Sequence, residues 1–384
     1  MSKFLPYGRQ YIDEEDIEAV IEVLRSDFIT QGPKINEFEE KLAAKVGAKY
    51  AVVFSSGTAA LHGAYFALGL QKGNQFITSP NTFAATANAG LLLGATPIFA
   101  DIEEDTGNID PKEVEKLITP QTRLISVVHY AGHPVDMEPI KELAQKYNLK
   151  VVEDACHALG AKYKGSPVGS CKYSDATIFS FHPVKHITTG EGGAVLTNDR
   201  EVYEKLLMFR NHGITKDRKK FKKEPHGDWY YEMQFLAPNY RMTDLQAALG
   251  ISQLKKLDRF VDRRREIARI YNEAFKETPY FDIPPERDYA YHSYHLYPIR
   301  LKDRLQDKKK EIFQRLREEG LGVQVHYIPV YFHPYYETLG YKKGLCPKAE
   351  KFYRSEITLP LYPAMDDRDV EFVIEKVFKV FRNI

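Results

Sequence analysis

A chain of 384 residues is long enough for more than one hydrophobic core, so two domains are expected. Its 54 Lys and Arg against 53 Asp and Glu leave a formal net charge of +1, which gives no electrostatic ground for binding nucleic acid or a membrane surface. No stretch has the apolar length of a signal peptide or a bilayer span, and Cys156, Cys171 and Cys346 are too few and scattered for a disulfide framework or a zinc site, so a cytoplasmic protein without a metal is expected.

Asp13-Glu14-Glu15-Asp16 puts negative charge where a helix N-terminus favours it, and Ile17, Val20, Ile21 and Leu24 follow at helical spacing, which predicts an amphipathic opening helix. Strand-like runs at 50–54, 75–78, 97–100 and 124–128 then alternate with helical patterns at 58–68, 82–93, 111–117 and 137–147. Two more apolar runs, 149–152 and 175–180, continue the series. Such alternation predicts an α/β fold whose central sheet is mostly parallel, with helices on both faces. The basic run 216–223 reads as a solvated loop before Trp229, or as the border of a site for an anionic substrate.

Thr243 and Gln246 form a capping box that opens one long helix over about 243–276, which joins a large domain at residues 1–252 to a smaller α+β domain at residues 253–384. In the smaller domain, strands are predicted at 294–301 and 323–325 and helices at 308–318 and 367–381.

In an open parallel sheet, ligands gather at the carboxyl ends of the strands, so the residues after each run carry the functional reading. Ser55-Ser56-Gly57-Thr58 follows the first run, and small residues there let helix-terminal N–H groups approach a phosphate, though the same residues serve as an ordinary helix cap. Phe83 stands at the next helix start, where a ring can stack on a planar cofactor or fill the core. Asp154 ends an apolar strand, and a buried carboxylate needs a partner such as a protonated pyridine nitrogen.

His157 is placed to donate to a ring oxygen, while Cys156 reads as a small packing residue rather than a nucleophile. Ser180 offers a hydroxyl to a phosphate, and Lys185, just before the turn Gly190-Glu191-Gly192-Gly193, offers an amine to an aldehyde. Together these groups supply what pyridoxal 5'-phosphate requires, with Lys185 as Schiff-base lysine and Asp154 as pyridinium partner.

At this point the chain resembles the DegT/DnrJ/StrS sugar aminotransferases, fold type I pyridoxal-phosphate enzymes. The matching motifs are Ser56-Gly57-Thr58-Ala59-Ala60-Leu61, Glu153-Asp154-Ala155-Cys156-His157-Ala158-Leu159-Gly160, Phe179 to Lys185 with Thr188 to Gly193, Asn239-Tyr240-Arg241-Met242 and His326-Tyr327-Ile328-Pro329. The wording of Trp229 to Gln234 and Val323 to Pro329 is most like family members of the pseudaminic-acid pathway.

That resemblance implies transfer of an amino group from L-glutamate to C4 of a UDP-linked 4-keto-6-deoxy-2-acetamido hexose, with release of 2-oxoglutarate. It also implies a homodimer in which Asn239 reaches the cofactor phosphate of the neighbouring subunit. The implied contacts to substrate are Tyr7, Asp27, Phe28, Ile29, Thr30, Gly57, Ser180, Asn239, His326, Tyr327, Ile328 and Pro329. Cys156 stands where alanine or serine is usual, and Phe235-Leu236-Ala237-Pro238 replaces a glycine-containing segment.

Three other classes fit the sequence less well. A dehydratase of the same fold lacks the covalent lysine. A non-enzymatic regulator needs a DNA-binding helix pair or a basic face, and a nicotinamide enzyme needs Gly-x-Gly-x-x-Gly after its first strand, which Ser55-Ser56-Gly57-Thr58 does not provide. Within the aminotransferases, the cofactor motifs leave C3 against C4 amination and UDP against TDP sugars open.

Overall fold

The computed structural model describes residues 3–384. The chain opens with helices α1 (Glu14–Leu24) and α2 (Pro33–Val46), then alternates β1 (Tyr50–Phe54), α3 (Gly57–Ala67), β2 (Gln75–Thr78), α4 (Ala85–Leu91), β3 (Thr96–Phe99), α5 (Pro111–Lys116), β4 (Thr122–Val128), α6 (Met137–Tyr147) and β5 (Lys150–Asp154). Strands β6 (Ala176–Ser180) and β7 (Gly193–Thr197) and helix α7 (Arg200–Phe209) follow.

The seven strands form one sheet in the order β1-β7-β6-β5-β4-β2-β3. Only β7 runs antiparallel to its neighbours β1 and β6. The other ladders are parallel, as the sequence pattern predicts. Successive side chains of a strand point to opposite faces. Accordingly Val53 packs with Phe38, Leu42 and Ala247 of one helical layer, whereas its neighbour Val52 packs with Ala60, Leu61 and Leu206 of the α3 and α7 layer on the other face.

The single helix expected over 243–276 is two helices, α8 (Asp244–Lys255) and α9 (Leu257–Phe275). The capping box of Thr243 and Gln246 is present, and the two helices meet at Lys256, with φ −97° and ψ −4°. Its buried ammonium pairs with Asp16 at 3.0 Å and with Asp13. Within this helix pair, residues up to Val261 pack in the core of the central sheet, whereas Ile267, Ala268, Tyr271 and Phe275 pack in a second core. We propose that the domain junction lies within this helix pair.

The second core surrounds an antiparallel sheet of Phe281–Asp282, β8 (Tyr297–Leu301) and β9 (Glu356–Leu359), covered by α10 (Lys309–Glu318) and a closing helix Asp367–Arg382. The strand expected at 323–325 is instead a two-residue pairing of Leu321–Gly322 with Leu5–Pro6, and Gln324 makes only an isolated bridge to Thr358.

The opening helix also departs from expectation. Ile17 and Leu24 of its apolar stripe are 43% and 59% exposed. The face packed on α8 carries Asp16, which accepts from Gln253 Nε2 at 2.7 Å as well as pairing with Lys256, so a polar network joins the buried Val23 in fixing this helix. Among the described residues no helix is long and apolar enough to cross a membrane, and no cluster of His, Cys, Asp or Glu is placed to hold a metal ion.

Candidate active site

The carboxyl ends of β1, β5 and β6 open onto a cavity of about 850 Å³. At its floor, Ser56 caps α3 by accepting from the Ala59 N–H at 3.1 Å. The N–H groups of Gly57 and Thr58 precede the intrahelical ladder and line the cavity beside Ser180. Donors at a helix N-terminus next to a hydroxyl form a phosphate-binding surface.

This cup depends on two glycines. A Cβ on Gly57 would lie 3.0 Å from Ser180 Cβ and 3.2 Å from its Oγ. One on Gly193 would lie 2.5 Å from the Ser56 carbonyl oxygen and 2.7 Å from Gly57 N, so the glycine turn lets β7 approach the cup itself.

Asp154 is buried at the end of β5. Its Oδ2 accepts from Thr86 Oγ1 at 2.6 Å and its Oδ1 from the Cys156 N–H at 3.2 Å. A carboxylate can only accept, so Thr86 donates, and Thr82, 2.7 Å from Thr86 Oγ1, donates in turn. The result is a carboxylate held by hydrogen bonds and turned toward a cavity, where it suits a cationic ring nitrogen.

Lys185 lies half-buried on the same wall, in the loop between β6 and β7. Burial lowers its ammonium pKa, with Arg264 adding to the effect, while Cys156 and Asp154 oppose it. Its Nζ lies 3.4 Å from Nε2 of His295. An amine with a lowered pKa, close to a carboxylate and open to a cavity, is a nucleophile and a base in one group.

Of the residues singled out from sequence, Tyr7, Gly57, Thr58, Phe83, Asp154, His157, Ser180, Lys185, His326, Tyr327 and Ile328 line this one cavity. Phe83 is 64% exposed, which rules out the core-filling alternative, and its ring lies 6.3 Å from that of Tyr327. His157 accepts from the Ala131 N–H at Nδ1, so its Nε2–H donates to the Tyr327 hydroxyl at 2.9 Å; the expected donor is therefore engaged with Tyr327. Burial first, and Asp154 second, push the Cys156 thiol up, in keeping with a packing role.

Asp27, Phe28, Ile29, Thr30, Asn239 and Pro329 do not line the cavity. The 27–30 segment is exposed and anchored to the start of α8, with the Asp244 N–H donating to the Ile29 carbonyl at 3.1 Å. Asn239 is exposed and bridges to Asn211. Pro329 is buried immediately after Ile328.

Sequence reasoning missed Thr86 and His295. Thr86 sits among small residues at a helix start, where only a polar side chain in an alanine-rich run marks it. His295 is 110 positions from Lys185 and in the other half of the chain, so nothing local signals it.

Residues 10–378 match the model of the DegT/DnrJ/EryC1/StrS aminotransferase family. A Campylobacter jejuni protein named UDP-4-amino-4,6-dideoxy-N-acetyl-beta-L-altrosamine transaminase is 43% identical over 383 residues, covering 99% of this chain and 98% of its own. Among solved structures, Helicobacter pylori PseC, an aminotransferase involved in the biosynthesis of pseudoaminic acid, superimposes with a TM-score of 0.93 at 39% identity, covering 100% of both chains. NtdA from Bacillus subtilis with bound cofactor PMP superimposes with a TM-score of 0.85 at 31% identity, covering 97% of this chain and 83% of its own.

Proposed function

The chain belongs to the DegT/DnrJ/EryC1/StrS aminotransferase family, and from that premise we propose that it uses pyridoxal 5'-phosphate to move an amino group from L-glutamate to C4 of a UDP-linked 4-keto-6-deoxy-2-acetamido hexose. The product is UDP-4-amino-4,6-dideoxy-N-acetyl-β-L-altrosamine, a precursor of pseudaminic acid, and the enzyme is a cytoplasmic homodimer. The observation that carries this reading is the meeting of Lys185, Asp154, Ser180 and the α3 N-terminus on one cavity, since these are the four chemical contacts the cofactor needs.

The residues fit that group. Gly57 and Thr58 N–H and the Ser180 hydroxyl would hold its phosphate, Phe83 would face its ring, and Asp154 would keep its ring nitrogen protonated. When bound, the cofactor supplies a carbonyl that takes up the amino group and a ring that withdraws electrons from the carbon losing its proton.

Lys185 then does the proton work. Its Nζ removes the proton from the α-carbon of the amino donor, and in the second half of the reaction returns one to C4 of the sugar. Thr86 and the Cys156 N–H donate to the Asp154 carboxyl group and hold it at the cavity wall. The Tyr327 hydroxyl, held by His157, and the Tyr7 ring, 5.1 Å from His326, form the wall on which the sugar is read. Exposed Asn239 and the exposed 27–30 segment would complete the cavity of a partner subunit.

The reaction is tested in reverse, by mixing the purified chain with candidate nucleotide amino sugars and 2-oxoglutarate and measuring L-glutamate. Glutamate from the UDP-linked 4-amino sugar is expected. Turnover of only a 3-amino sugar, or only a TDP sugar, sinks the substrate assignment, and no turnover with any amino sugar sinks the reaction.

A further inference from the structure

We propose that His295 is a positioning residue, whose Nε2 accepts a hydrogen bond from Lys185 Nζ and thereby aims the amine's lone pair into the cavity. The inference rests on reading Lys185 as the reactive amine. Its basis is the 3.4 Å approach of the two nitrogens, between a residue of the β6–β7 loop and one just before β8.

An ammonium has hydrogens and no lone pair, so contact with a charged Lys185 is possible only if His295 Nε2 accepts. That requires a neutral imidazole with its proton on Nδ1. The surroundings favour neutrality: burial lowers the His295 pKa well below 6.5, and Lys185, His157, His186 and Arg264 add to the effect. Around Lys185 itself stand Cys156, Asp154 and Arg264.

The ring is also fixed in place. It packs 4.4 Å from His157 and 5.7 Å from His186, between centroids. Beneath it, fully buried Arg264 donates through Nη1 to the carbonyl oxygens of Tyr294, His295 and Leu361 at 3.3, 3.2 and 3.0 Å, clamping the backbone that carries His295. Arg264 has no carboxylate partner among the described residues, so its charge falls on this cluster. A clamped, neutral acceptor beside the amine restricts where that amine's lone pair points, and orientation of this kind is a recognised source of rate.

The test compares the full-length wild type with His295→Phe, which keeps a ring for His157 to pack on, and His295→Gln, whose amide reaches the Nε2 position. In the cofactor-free protein, Lys185 acylation by a limiting amount of acetic anhydride is followed against pH by peptide mass spectrometry. A hydrogen bond to the charged form raises a pKa, so His295→Phe should move the labelling midpoint down by about half a pH unit or more, and Gln should restore it.

In parallel, the rate at which added pyridoxal phosphate develops the absorbance of its lysine-bound form should fall about tenfold in the Phe variant and by less than about threefold in the Gln variant. If Phe does not fold, His295→Asn, whose amide reaches only the Nδ1 position, should behave as Phe is expected to. Unchanged profiles and capture rates in a folded Phe or Asn variant overturn the inference. Labelling needs no cofactor, so a shifted profile with no capture in the wild type would sink the cofactor reading alone, and normal capture with an unshifted profile would sink the role of His295 alone.

Discussion

Lowering the pH should destabilise this protein well before its carboxylates titrate, because its interior holds neutral imidazoles. Burial is the leading cause that lowers the pKa of His133 to about 4 and of His326 to about 3, and that holds His157, His186, His292 and His295 well below 6.5. A base whose folded pKa is depressed takes up its proton in the unfolded chain first, so stability is present above 6.5 and is lost as pH falls. Between pH 7 and 6 each ring costs about 0.7 kcal/mol, and the six together roughly 4 kcal/mol.

Glu356 works against this. Burial raises its pKa to about 7, against an opposing Lys309, so its folded form binds a proton that the unfolded chain lacks between 4.5 and 7. It returns about 1 kcal/mol over the same interval, leaving a net loss of about 3 kcal/mol. The quantity to measure is proton uptake on unfolding at pH 6, by calorimetry of the cofactor-free protein in buffers of different ionisation enthalpy. About four protons are expected, from about 4.6 on histidines less about 0.9 on Glu356. An uptake of one or fewer would refute the picture of a neutral histidine interior.

Three substitutions probe the cavity. Thr86→Val keeps volume but removes the donor to Asp154, so cofactor-free stability should fall by about 1.5–3 kcal/mol in urea unfolding and kcat should fall with little change in KM for the amino sugar; an unchanged kcat would show that Asp154 needs no such support. Gly57→Ala forces a methyl to 3.0 Å from Ser180, and should weaken cofactor binding by about tenfold in an absorbance titration while costing about 1–3 kcal/mol or less of stability. Lys185→Ala should lose both the absorbance of lysine-bound cofactor and turnover, and a fully active variant would refute its assignment.

Much of this architecture is legible in the sequence, because the parallel sheet leaves a run of apolar residues at each strand and small or polar residues at its carboxyl end. That is why Gly57, Asp154, Ser180 and Lys185, which follow or end strands distant in the chain, read from the sequence as one site. What was not legible depended on contacts between remote segments. Lys256, where α8 and α9 meet, pairs with Asp13 and Asp16, more than 200 positions away, and helical periodicity carries no trace of those pairs. His295 and Thr86 act through partners rather than by motif, and the exposure of Ile17 and Leu24 follows from which face of α1 carries Asp16.

The most direct test of the central claim is chemical trapping. The purified chain is incubated with pyridoxal phosphate, reduced with borohydride, digested and mapped by mass spectrometry. The account predicts a single phosphopyridoxyl adduct, on the peptide containing Lys185, and its loss when excess L-glutamate is added before reduction. An adduct on another lysine, or none at all, would contradict it.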